Sequence, residues 1–126
     1  MKFILTLLLL ATISVFSKEI KKNEAFYRDQ WADANNGETE VTMGDGTRCD
    51  IVTKTHAIEV DWAYKWTESI GQSLWYSFQL ADKNKKAGIV LILKEEKDKI
   101  YLMKLRSIIA YRKLDIEVWA IRIYPH

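Results

Sequence analysis

Apolar positions along the chain change their spacing several times, and each change marks an element. From Lys21 to Ala34, the residues Ala25, Phe26, Trp31 and Ala32 form a rough helical stripe, closed by Asn35-Asn36-Gly37. Glu38 to Met43 then alternates polar and apolar, as a strand does, with Glu38, Glu40 and Thr42 on its polar side. Gly44-Asp45-Gly46 is a tight-turn signal, and Thr47 to Thr53 is the returning strand. Period-two spacing predicts that Arg48, Asp50 and Val52 share one face of it and that Cys49 and Ile51 share the other. After Lys54-Thr55, a third strand is predicted over His56 to Asp61, with Ala57, Glu59 and Asp61 opposed to Ile58 and Val60.

The spacing then becomes helical from Trp62 to Leu80, with Ala63, Trp66, Ile70, Leu74 and Phe78 as the docking arc. Gly88 to Leu93 is a continuous apolar run, the signature of a strand buried on both faces. Lys97 to Arg112 is helical again, with Ile100, Met103, Leu105, Ile108 and Ile109 as core candidates, and Ile116 to Tyr124 is a last strand. Three strands in succession without a long crossover predict an antiparallel meander. The order α-β-β-β-α-β-α-β predicts an α/β sandwich around a mixed sheet.

The start of the chain stands apart. Met1-Lys2 precedes a nearly unbroken apolar run from Phe3 to Phe16, shorter than the roughly 20 residues of a spanning helix. It reads as a signal peptide over residues 1–17, removed after Ser17, leaving residues 18–126 as one domain that is secreted or periplasmic and has no stable membrane association. With 126 residues, 48% hydrophobic and 29% charged, the chain has enough apolar material for one modest core. The net charge of +2 excludes a strongly cationic nucleic-acid binder, so any such contact must come from a local patch. The single cysteine, Cys49, allows no intrachain disulfide and reads as a small buried side chain.

Against that background, the stretch from Arg48 to Tyr76 concentrates the candidate chemistry. It offers Asp50 and Glu59 on neighbouring strands, Glu40 on the hairpin partner, and Lys65 on the following helix. Two carboxylates and a lysine suit a divalent cation and a phosphate. Magnesium takes oxygen ligands, and one or two carboxylates suffice beside substrate phosphate. Lys65, Ser69, Gln72 and Tyr76 share one helical stripe, largely opposite the predicted docking arc. A merely solvated face would have the same pattern. Taken one at a time, each acid is an ordinary solvent-face residue, Arg48 is an ion-pair partner for Asp50, and His56 is a strand-edge residue. Of the tryptophans, Trp66 and Trp119 are assigned to core, and Trp62 and Trp75 to partial exposure; exposed ones are able to stack bases. The lysines from Lys83 to Lys99 are interleaved with Glu95, Glu96 and Asp98 and read as a mixed solvated surface.

This order and these residues resemble the PD-(D/E)XK nuclease superfamily, the fold of restriction enzymes, RecB-like nucleases and Holliday-junction resolvases. Topology carries the resemblance over most of residues 18–126, and motif carries it from Glu38 to Tyr76. Gln72-Ser-Leu-Trp-Tyr76 matches the Q-x-x-x-Y motif of the RecB-like branch, and the wider string looks like a small bacterial branch of it. The resemblance implies a restriction-endonuclease-like α-β-β-β-α-β core, a mixed sheet flanked by helices. It also implies Mg2+ or Mn2+ held by Asp50 and Glu59, with Glu40 and the Val60 carbonyl as further ligands. Asp50, Glu59 and Lys65 would be the catalytic set, and Gln72, Tyr76 and Arg48 the substrate contacts. The family pattern has a lysine two residues after the strand acid, where this chain has Asp61; Lys65, one turn on, is the substitute.

Three functions are compatible with these readings. One is an exported metal-dependent nuclease acting on DNA or RNA. The others are a catalytically inactive relative binding nucleic acid or a protein partner, and an interaction module whose acids are incidental. A core this small often cuts two strands as a pair, so a homodimer stays open.

Overall fold

The computed structural model describes residues 22–125; the expected signal peptide lies outside the described residues. Helix α1 spans Glu24–Ala34 and begins three residues later than expected because the Asn23 side chain caps it, accepting from Phe26 N at 3.0 Å. Strands β1 (Glu38–Thr42), β2 (Arg48–Val52) and β3 (His56–Trp62) follow, then α2 (Trp66–Gln79), β4 (Lys86–Leu93), α3 (Lys99–Arg112) and β5 (Ile116–Arg122). They form an α/β fold around one open five-stranded sheet of order β1-β2-β3-β4-β5. The first three strands pair antiparallel, as the meander requires, and β3-β4 and β4-β5 are parallel, each joined through a helix.

Central β4 is buried from Ala87 to Leu93, which accounts for its unbroken apolar sequence. Val90 and Ile92 meet Ile58, Val60 and Ile51 beneath Ala32, Trp31 and Tyr27 of α1. Ile89, Leu91 and Leu93 meet Leu102 and Leu105 of α3, with Trp66 and Ile70 of α2 beside them. One helix therefore covers one face of the sheet and two cover the other. Gly88 lets this packing close: a Cβ there would come 2.8 Å from Trp119 Cζ3 and 2.9 Å from Ile58 Cγ1.

Three expectations are corrected. First, β3 continues to Trp62 and a 3-10 turn over Ala63–Lys65 intervenes, so α2 begins at Trp66 rather than Trp62. Its inward residues are Ser69, Ser73 and Tyr76, while Leu74 and Phe78, expected in the docking arc, are exposed. The polar stripe thus faces the sheet. Second, α3 turns Leu102 and Leu105 inward and leaves Ile100 and Met103 in solvent, against expectation. A 3-10 turn over Glu96–Asp98 precedes the helix, with the Asp98 carboxylate accepting from Lys94 N at 2.9 Å and Glu95 N at 3.1 Å.

Third, β2 does not alternate. Cys49 packs with Ala57 and Tyr76 on the α2 side, whereas Ile51 packs with Ile58 on the α1 side, so the two do not share a face. The β2–β3 ladder holds at Ile51–Ile58 and Val52–Ala57. Beyond it, Val60 N donates to the Asp50 side chain at 2.8 Å instead of to a ladder carbonyl. Opposite Asp50, Glu40 has φ of 51°, a left-handed conformation uncommon for a non-glycine residue. Both hairpin strands are therefore irregular at the same level, an arrangement that re-aims side chains.

Candidate functional site

Asp50, Glu59 and Asp61 converge on the α2 side of the sheet, where β2 and β3 part. Glu59 and Asp61 are only 5% and 6% exposed. Period-two spacing puts them on one face of β3, and the break in β2 swings Asp50 toward them. Glu59 lies within hydrogen-bond reach of both Asp50 and Asp61. Burial, then the charges of Asp50 and Asp61, push its carboxyl up to about 10, so it holds a proton at neutral pH. Asp50 and Asp61 are also raised, chiefly by burial; the Val60 N–H opposes this at Asp50, and the Ser69 hydroxyl opposes it at Asp61.

Helix α2 roofs the acids with the stripe expected from sequence. Ser69 Oγ donates to Asp61 Oδ2 at 3.0 Å. The Gln72 carboxamide, oriented with its nitrogen toward the acid, donates to Glu59 at 2.7 and 3.1 Å. Tyr76 is buried against Cys49, Ala57 and Met43, and burial together with the Glu59 and Asp50 charges pushes its hydroxyl up to about 12. Lys65 is half-buried at the foot of the helix; it acts through its field, lowering Asp61 and Glu24, rather than by clasping one carboxylate.

Other expected residues stand differently. Glu40 does not join the three acids: Arg28 donates to it at 3.0 Å and Arg48 approaches it at 3.6 Å. Arg48 accordingly pairs with Glu40, not with Asp50, and its side chain is 68% exposed. His56 lies at the start of β3 and contacts Glu117 of β5 at 3.1 Å, as a structural residue would. Cys49 is fully buried, with its thiol pushed up to about 12 by burial, which removes it as a nucleophile.

No known protein family, curated protein or solved structure among those compared matches the chain. The site therefore has to be read from its own chemistry.

Two contributors were not among the expected site residues. Glu24, in the first turn of α1, is pushed up to about 7 by burial and by the Asp61 and Asp50 charges, with Lys65 and Arg28 opposing. Asp61 had read as a departure from a motif, yet it is a full member of the acid group. Only the packing of α1 across the sheet end brings Glu24 near, and no local pattern announces it. The donors are hard carboxylate oxygens, held together against their own repulsion, a set that fits a divalent cation. Among the described residues, no group of three or more His, Cys, Asp or Glu side chains is placed so as to hold a metal ion.

Proposed function

We propose that the chain is an exported metal-dependent phosphodiesterase that hydrolyses nucleic acid, built on the restriction-endonuclease-like form of the α/β fold. The element order, an antiparallel meander followed by two helix-linked parallel strands, supports that form. The observation that carries the reading is the convergence of Asp50, Glu59 and Asp61 under Ser69 and Gln72 of α2, with Lys65 of the preceding 3-10 turn lending its charge. Buried acids left in mutual repulsion cost stability, and a site of this kind is where such a cost has a use.

In this reading Asp50 and Glu59 hold Mg2+ or Mn2+. The ion supplies a water acidified toward neutral pH and a clamp on phosphate oxygens. Gln72 holds both oxygens of Glu59 in one orientation, and Ser69 does the same for Asp61. Lys65 offsets charge developing on the phosphate. Tyr76 walls the site and keeps water from the back of the acid pair. Arg28 and Arg48, fixed on Glu40, steady the irregular part of β1 rather than the phosphate.

The test is cleavage of plasmid and oligonucleotide DNA and RNA in Mn2+, Mg2+ or EDTA by the wild type, Asp50→Asn and Lys65→Met. Metal-dependent cleavage lost in both variants supports the reading. Absence of cleavage under every condition sinks it. A second reading, binding without cleavage, is favoured by Asp61 at the place where the family motif has lysine. Nucleic-acid binding without turnover selects it.

A further inference from the structure

Helix α3 covers the sheet with Leu102 and Leu105, yet its outward side is not simply polar. Ile100, Met103 and Tyr111 are 43%, 56% and 74% exposed. At 3.6 residues per turn, these three and Ser107 fall within an arc of about 80°, opposite the two leucines. They form one ridge along the helix. Hollows flank it on both sides. Trp66 of α2 closes one, of about 360 Å3, with Met103, Ile108 and Tyr111. The other, of about 490 Å3, has Leu102, Met103 and Ala110 as its floor and Lys99, Arg106 and Arg122 at its rim.

Charge on this helix is all of one sign. From Lys99 to Leu114 the chain has five Lys and Arg and no Asp or Glu, in a protein of net charge +2. Lys99 pairs with Glu96 at 3.3 Å. Among the described residues, Lys104, Arg106, Arg112, Lys113 and Arg122 form no ion pair, and all five are exposed. Cations left without partners around exposed apolar side chains narrow the choice of occupant. A second copy would set like charges against each other across the ridge. A nucleic-acid backbone would satisfy the cations but leave Ile100 and Met103 in water. A protein partner would need a groove matched to a convex row of apolar tips, whereas a fluid layer takes such a row without one. An anionic bilayer meets both demands. Its phosphates face the Lys and Arg side chains, the apolar tips enter the acyl boundary, and tyrosine suits the boundary itself.

We propose that the outward side of α3 is a docking surface for anionic phospholipid, holding the protein reversibly at a membrane surface. Three partly inserted side chains and a handful of cations give a peripheral contact, not an anchor. The proposal does not depend on the acid group, which lies between the sheet and α2.

The experiment is co-sedimentation of residues 18–126, which contain the whole described fold, with vesicles of phosphatidylcholine alone or mixed with phosphatidylglycerol. Leaving out residues 1–17 keeps their apolar run from entering lipid by itself. The wild type is compared with the double variant Lys104→Glu, Arg106→Glu, with Met103→Ser, and with Lys83→Glu, each shown by circular dichroism to be folded. Lys83 is an exposed cation beside β1 and β2, away from α3. The wild type is expected to pellet with the mixed vesicles and to stay in solution with phosphatidylcholine alone. One charge near an anionic surface is worth roughly a fivefold change in partitioning, so the double variant is expected to bind at least about 25-fold more weakly. Met103→Ser is expected to lose about 5- to 20-fold, and Lys83→Glu to stay near wild type. Equal binding to both vesicle types, no wild-type binding, an unchanged Met103→Ser, or a loss in Lys83→Glu as large as in the double variant each overturns the proposal. Labelled duplex DNA and polyglutamate are measured beside the vesicles by anisotropy. Binding of either one in place of the vesicles, lost in the double variant and in Met103→Ser, reassigns the ridge to nucleic acid or to an acidic protein and likewise overturns the proposal.

Discussion

Replacing Glu59 with Gln is expected to stabilise the metal-free protein, with a gain that depends on pH. The glutamate is 5% exposed and pressed between Asp50 and Asp61, and its carboxyl is pushed up to about 10. In the unfolded chain it titrates near 4.5. Folding at pH 7 therefore takes up a proton, and binding a proton that far above the unfolded value costs roughly 3 kcal/mol. A carboxamide of nearly the same shape needs no proton. Its NH2 group can donate to Asp50 or Asp61, and its oxygen can still accept from Gln72. Allowing for relaxation around the pair, Glu59→Gln should gain about 1–3 kcal/mol at pH 7, or about 4–12 °C in Tm. Because the folded value is raised, the penalty on the wild type is absent below about pH 4.5, grows through neutrality and levels off near pH 10. The two proteins should therefore converge at pH 4.5 and separate as pH rises. Thermal melts in EDTA between pH 4.5 and 9, followed by circular dichroism, read this out. A variant no more stable than wild type at pH 7–8, or a gain of equal size at pH 4.5, would refute the idea that the acids repel one another in the fold.

Three other outcomes check separate parts of the account. Mn2+ should raise the Tm of the wild type at neutral pH, by about 2.7 kcal/mol of stability at one hundred times its dissociation constant, and should leave Asp50→Asn unmoved; melts with and without the ion measure it. Gly88→Ala should cost about 1–3 kcal/mol, since the added methyl meets Trp119 and Ile58 across the sheet; urea titration is the assay, and a neutral result would contradict the close packing under α1. Cys49 should resist iodoacetamide in the folded protein and react once unfolded, because its thiol is buried and held in the protonated form.

Much of this fold was legible in the chain. Alternation in Glu38–Thr42 and His56–Asp61, the apolar run of β4 and the Gly-Asp-Gly turn located the strands; the β4 run reflects burial on both faces, whereas the alternation in β3 separates apolar from acidic side chains that are both buried. The phases of the helices were less legible. Leu74 and Phe78 look like docking residues by hydropathy, yet α2 turns Ser69, Ser73 and Tyr76 to the sheet because buried carboxylates need hydroxyl and amide partners more than leucine needs burial. Local spacing does not encode that preference. In the same way, Ile100 and Met103 were misjudged because apolar residues lie all round α3, so hydropathy alone does not single out the side that Leu102 and Leu105 bury. Of the acid group and its roof, Asp50 and Glu59 were singled out by strand position together with the family resemblance, and Gln72 and Tyr76 by the motif that the resemblance supplies. Glu40 was misplaced because it is drawn to Arg28, twelve residues away, and Glu24 was invisible because only tertiary packing brings α1 to the acids.

The most direct test of the central idea is whether this acid group binds a divalent ion and uses it to break a phosphodiester bond. Purified residues 18–126 should be incubated with a labelled single-stranded oligonucleotide in Mn2+ and in EDTA, beside an Asp50→Asn protein shown by circular dichroism to be folded. The expected result is cleavage by the wild type in Mn2+ only, absent from the variant. Cleavage that persists in EDTA, or that survives in Asp50→Asn, would contradict the account, as would a wild type that neither cuts the strand nor shifts its melting temperature with the ion.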